Sequence, residues 1–97
     1  MKSNSHWVLF AEWCVDYEGG REIISVHHDI DDAVRALKKS VEEVYRIDAE
    51  SNGYEILEDS DLTFDSGKMG DYVVDHITVS VIEVKNKSKK SRGVADD

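Results

Sequence analysis

Residues 29-DIDDAVRALKKSVEEVYRI-47 decide the fold, because they carry an unbroken helical period. Ile30, Ala33, Val34, Leu37, Val41, Val44 and Tyr45 recur at steps of three and four and so predict one apolar stripe that has to lie on another layer. On the other side stand Asp31, Asp32, Arg35, Lys38, Lys39, Glu42, Glu43 and Arg46, four acids against four bases. Asp31/Arg35, Lys38/Glu42, Lys39/Glu43 and Glu42/Arg46 are spaced for ion pairs one turn apart. That side is solvated and neutral. Asp29 is placed to cap the first free amides, while Asp31 and Asp32 complement the positive end of the helix dipole. The helix reads as a lid over a sheet.

Upstream, Trp7, Leu9, Ala11, Trp13, Val15 and Tyr17 alternate with Val8, Phe10, Glu12, Cys14 and Asp16, the two-residue period of a strand whose odd-numbered face goes to the core. Glu18-Gly19-Gly20 offers the positive-φ positions of a tight hairpin, and Arg21 to His27 is the second strand, with Ile23, Ile24 and Val26. Downstream, Asn52-Gly53 is a stop and turn. Tyr54, Ile56, Leu62 and Phe64 share one parity, which predicts a third strand from Tyr54 to Asp65, irregular near Glu58 to Asp61. Ser66 to Asp71, with Gly67 and Gly70, is expected to be a hairpin loop. Tyr72 to Val84 is the last strand, with Val73, Ile77, Val79 and Val81 toward the core. The sum is an α+β fold of two layers, ββαββ. A four-stranded, mostly antiparallel sheet carries one helix on one face, with the first and last strands at its centre.

Ninety-seven residues suffice for one small core, expected over residues 6–84, with a flexible leader at 1–5 and a disordered basic tail at 85–97, KNKSKKSRGVADD. A single cysteine, Cys14, excludes an internal disulfide and suits a reducing compartment, so the cytoplasm is the expected location. The apolar run Trp7 to Ala11 is too short for a signal-peptide core, and no stretch is apolar enough to span a membrane.

Charge is the most informative feature. Residues 1–84 hold nineteen acids and seven bases, whereas residues 85–95 hold five bases and no acid. From Asp48 to Asp75 nine carboxylates face one base, Lys68. Glu55, Glu58, Asp59, Asp61, Asp65, Asp71 and Asp75 are therefore the candidate partner-binding residues. In a strand from Tyr54 to Asp65, Glu55, Asp59, Asp61 and Asp65 lie on one side at multiples of roughly 6.5 Å. A DNA strand carries a phosphate every roughly 3.4 Å along its axis, so such a row is in the range needed to imitate a phosphate backbone. The plainer account is that carboxylates keep a small domain soluble and discourage edge pairing. Val8, Phe10, Cys14, Val74, Ile82 and Val84 fall on the parity opposite to the core, and Val8, Phe10, Val74 and Ile82 are candidates for self-association.

Catalytic and metal chemistry finds little support. Counted as an EF-hand from Asp59, the sixth and twelfth positions hold Phe64 and Gly70 where glycine and glutamate are needed. His6, His27, His28, His76 and Cys14 lack the spacing of a transition-metal set, and Cys14 in an apolar strand reads as a packed small side chain. No glycine-rich loop precedes a helix, so no phosphate cradle is present and no cofactor is expected.

In size, charge and lack of a catalytic set the chain resembles the small acidic inhibitors that phages and mobile elements direct at host DNA-binding or nuclease machinery. That likeness implies a non-enzymatic protein that docks on a basic, nucleic-acid-binding protein and blocks it, with DNA mimicry as one route. Direct nucleic-acid and membrane binding by the acidic body are disfavoured. The alternative is a subunit that forms a homodimer through the outer sheet face or an edge strand.

Overall fold

A computed structural model describes residues 5–69 and 74–85. The α+β class holds, with five strands where four are expected. The order along the chain is β1 (Ser5–Val15), β2 (Glu18–His27), a long helix, β3 (Glu55–Asp59), β4 (Thr63–Met69) and β5 (Val74–Lys85). The strands form one antiparallel sheet in the order β2-β1-β5-β4-β3, which puts the first and last strands inside and leaves β2 and β3 as edges.

The extra strand comes from a turn where an irregularity is expected. At Ser60-Asp61-Leu62 the chain reverses, closed by Ser60 N–H donating to Thr63 O at 2.9 Å and Thr63 N–H donating to Ser60 Oγ at 3.2 Å. Serine substitutes here for the missing Gly and Pro signals. Ser66 to Met69, expected as loop, instead continues β4. Ser66 is fully buried because its hydroxyl donates to Ile77 O at 3.1 Å. Val73, Asp71 and the expected loop's end lie outside the described residues, as do residues 86–97 of the basic tail. Ser5, counted with the leader, belongs to β1, opposite Lys85, and donates its hydroxyl to Glu83 at 2.6 Å.

The first hairpin is tighter than glycine spacing suggests. Val15 pairs with Glu18, so Asp16 and Tyr17 form a two-residue turn with φ of 53° and 71°. Aspartate tolerates this left-handed geometry, and Tyr17, expected on the core face, is exposed. Gly19 and Gly20 sit within β2. Gly20 opposes Trp13, and a Cβ there would stand 2.7 Å from Trp13 Cζ2, so the missing side chain is the seat of the indole. A bulge at Ile24 shifts the register between Leu9↔Ser25 and Phe10↔Ile23.

The helix starts as expected, with Asp29 Oδ1 accepting from Asp31 N–H at 3.1 Å. It runs beyond Ile47 as α1 (Ile30–Ser40), a π turn (Val41–Tyr45) and α2 (Arg46–Ser51), ending at Asn52 with Gly53 at φ +74°. The sequence explains the π turn. Ala33, Leu37, Val41, Tyr45 and Ala49 are spaced strictly by four, and in an α-helix each such step drifts by about 40°. The wider turn, with Arg46 N–H donating to Val41 O, takes up the drift and keeps Ala49 buried. Ile30 and Val44, assigned to the stripe, are exposed. Surface pairing also departs from expectation: Glu42–Arg46 forms at 3.0 Å, but Arg35 pairs with Asp32 and Lys38 leaves its helix for Asp61.

The helix packs on one sheet face. α1 lies over β1, β2 and β5, the π turn over β5, and α2 reaches β3. It thus enters near the Trp7 and His27 end of the sheet and leaves near the Cys14 and His76 end, crossing from one edge toward the other. Leu9, Ala11, Phe64, Val79, Ala33, Leu37 and Ala49 are the buried centre.

Gly20→Ala is expected to lower stability by about 1 kcal/mol, because the indole must leave its seat. In a Trp13→Ala background the same change becomes neutral or stabilising, a non-additivity that urea titrations of the four proteins read directly.

Candidate functional site

The expected row of carboxylates does not form. Leu57 is an extra residue in β3, so Glu55 and Glu58 share the outer sheet face, opposite Gly67 and Asp65. Asp59 pairs with Phe64 and turns to the helix side. There Arg46 Nη2 donates to Asp59 Oδ2 at 2.7 Å and Nε donates to Glu42 Oε2 at 3.0 Å, with the guanidinium 5.3 Å from the Phe64 ring centroid. The hydrogen bond to Asp59 pushes the Arg46 pKa further up. Asp61, in the turn, meets Lys38 Nζ at 3.0 Å. Asp75 opposes Lys68, and its Oδ1 accepts from Asp16 N–H at 3.3 Å. Asp71 lies outside the described residues. Glu55, Glu58 and Asp65 are thus brought together; Asp59, Asp61 and Asp75 are not.

On the same face, beyond Thr78 and Ser80 of β5, the surface turns apolar. Val8, Phe10 and Ile82, three of the candidate self-association residues, are joined there by Ile23, Val26 and Val84, while the Val74 side chain lies outside the described residues. Ile23 is 68% exposed and Val26 56%. Their membership depends on the Ile24 bulge, which adjacent isoleucines hint at but do not place. At the rim Arg21 Nε lies 3.9 Å from Glu12 Oε2.

A second feature was not signalled by any motif. Where the diagonal helix leaves one corner of the sheet open, Trp13, Val15, Glu22, Tyr45, Asp48 and Ile77 line a cavity of about 240 Å³. Tyr45 is half-buried near Glu22, and its hydroxyl pKa is raised, first by burial and then by that carboxylate. The legible trace was Gly19-Gly20 set against a tryptophan two residues short of the turn.

His6 and His28 rings approach to 5.0 Å between centroids, and His27 Nε2 and Ser25 Oγ are hydrogen-bonded at 2.7 Å. Cys14 faces His76 across β1 and β5. Among the described residues no three His, Cys, Asp or Glu side chains are grouped to hold a metal ion, and no helix is long and apolar enough to cross a membrane. No family model matches the chain, and neither curated proteins nor solved structures give a match.

Tyr54 is 7% exposed and its hydroxyl has no hydrogen-bond partner among the described residues. Burial, then Asp75, Asp16 and Cys14, raise its pKa. Tyr54→Phe is therefore expected to leave thermal stability unchanged or to raise it by about 1 kcal/mol. Because Tyr45 and Tyr54 keep their protons above the pH at which the unfolded chain releases them, their contribution is complete below about pH 10 and is lost as pH rises through the folded-state values. Circular dichroism against pH checks this, with Tyr54→Phe reducing the alkaline loss.

Proposed function

We propose that the protein is a non-enzymatic binding protein that docks on a basic protein surface, of the kind that holds nucleic acid, and occludes it. The observation that supports this reading is the outer sheet face. Glu55, Glu58 and Asp65 share that face with the apolar group of Val8, Phe10, Ile82 and Val84, across Thr78 and Ser80, and none of the three carboxylates has a cation partner among the described residues. Asp65 Oδ1 accepts only from the Thr78 hydroxyl at 2.8 Å, and Glu58 from Ser60 at 3.0 Å. Apolar contact supplies affinity, while charge sets encounter rate and register. The acidic excess repels nucleic acid and anionic lipid, which leaves a cationic protein surface as its complement. Asp59 and Asp61 take no part, since Arg46 and Lys38 already meet them, and phosphate-like spacing is not required.

A second reading rests on the apolar half alone. Its charged lining is the Glu12–Arg21 pair with Glu22 at the edge, and the remaining lining is apolar, which suits a second copy placed by a two-fold axis.

Both readings are tested with purified protein. Reversal of all three outer acids (Glu55→Lys, Glu58→Lys, Asp65→Lys) is expected to weaken binding to basic nucleic-acid-binding proteins at least tenfold, about 1.4 kcal/mol. High salt has the same effect, whereas Asp59→Asn with Asp61→Asn changes little. Binding indifferent to salt and to the triple reversal contradicts the proposal. A dimer in light scattering, broken by Phe10→Glu and kept in the triple reversal, favours self-association.

A further inference from the structure

The scaffold binds one arginine side chain of its own, and the manner of that binding points to a site for another. At the corner beside the β3–β4 turn, the Arg46 guanidinium lies over Phe64 and is hydrogen-bonded by Asp59 and Glu42. An aromatic face and two carboxylates are a sufficient host for a planar cation. The opposite corner, uncovered by the same diagonal helix, repeats that chemistry without a cation among the described residues. Trp13 and Tyr45 supply the aromatic walls, Glu22 and Asp48 the carboxylates, and Asn52 a further polar group.

We propose that this corner cavity is a binding site for a guanidinium group. Its volume of about 240 Å³ admits an arginine side chain. The walls are held in place from behind. Trp13 is seated on Gly20, and Tyr45 packs against the core, so a planar cation meets a preformed slot. Guanidinium suits this slot better than ammonium, because it stacks on aromatic faces and donates in a fixed fork to carboxylates. The site lies on the helix side of the sheet, so it is independent of the outer-face reading. The guanidinium is borne either by a free small molecule or by an arginine in a peptide.

The test follows the Trp13 indole N–H signal by NMR, assigned with Trp13→Phe, in the full-length protein. Methylguanidinium is expected to shift it saturably, while methylurea, its uncharged isostere, does not. Glu22→Gln with Asp48→Asn, both exposed positions, is expected to weaken methylguanidinium at least tenfold with the circular dichroism spectrum unchanged. Agmatine and N-acetylarginine methylamide then separate the two sources, the tighter binder naming the free or the peptide-borne form. No shift with methylguanidinium, an equal shift with methylurea, or unaltered binding in the folded double variant overturns the proposal. The outer-face proposal is untouched by any of these results, because no basic protein is present.

Discussion

The packing of a four-spaced apolar stripe against one face of a twisted sheet governs the other features of this molecule. Ala49 joins Ala33, Leu37 and Val41 in the core because Val41–Tyr45 widens into a π turn between them. Small residues at the start and end of that stripe let the backbone approach the sheet closely, while Leu9, Phe64 and Val79 fill the space between. Since one helix cannot cover five strands, the geometry dictates what stays open: two corners on its own side and the entire opposite face.

Charge is distributed according to that geometry. One corner is closed internally, with Arg46 and Lys38 drawn to Asp59 and Asp61 across the helix–sheet boundary. These are exposed or half-exposed pairs and add little stability individually. Their consequence is to neutralise two of the carboxylates near the β3–β4 turn. Among the described acids without an ion-pair partner, Glu55, Glu58 and Asp65 share the outer face of β3 and β4, and Glu22 and Asp48 line the Trp13 corner.

Much of the fold was legible, and the failures have common causes. Alternation in Trp7 to Val15, the cap at Asp29, the stop at Asn52-Gly53 and the central place of β1 and β5 all follow from local pattern. The fifth strand did not, because the β3–β4 turn is closed by a serine hydroxyl rather than by glycine. Bulges at Ile24 and Leu57 each reverse strand parity, and a bulge leaves almost no trace in composition. That single-residue slip is why Glu58 faces outward with Glu55, and why Asp59 does not. The corner cavity left no trace beyond Gly19-Gly20 for another reason: it unites residues from β1, β2, β5 and the helix, and only the crossing direction brings them together.

The central claim is that negative potential is free on the outer face of β3 and β4 and at the Trp13 corner, and is neutralised at Asp59 and Asp61. Paramagnetic relaxation enhancement by a cationic nitroxide, corrected with its neutral analogue, measures this residue by residue. The account predicts the largest excess at amides around Glu55, Glu58, Asp65 and Glu22, and little around Asp59 and Asp61. A uniform excess over all carboxylates, or a maximum at the β3–β4 turn, would contradict it.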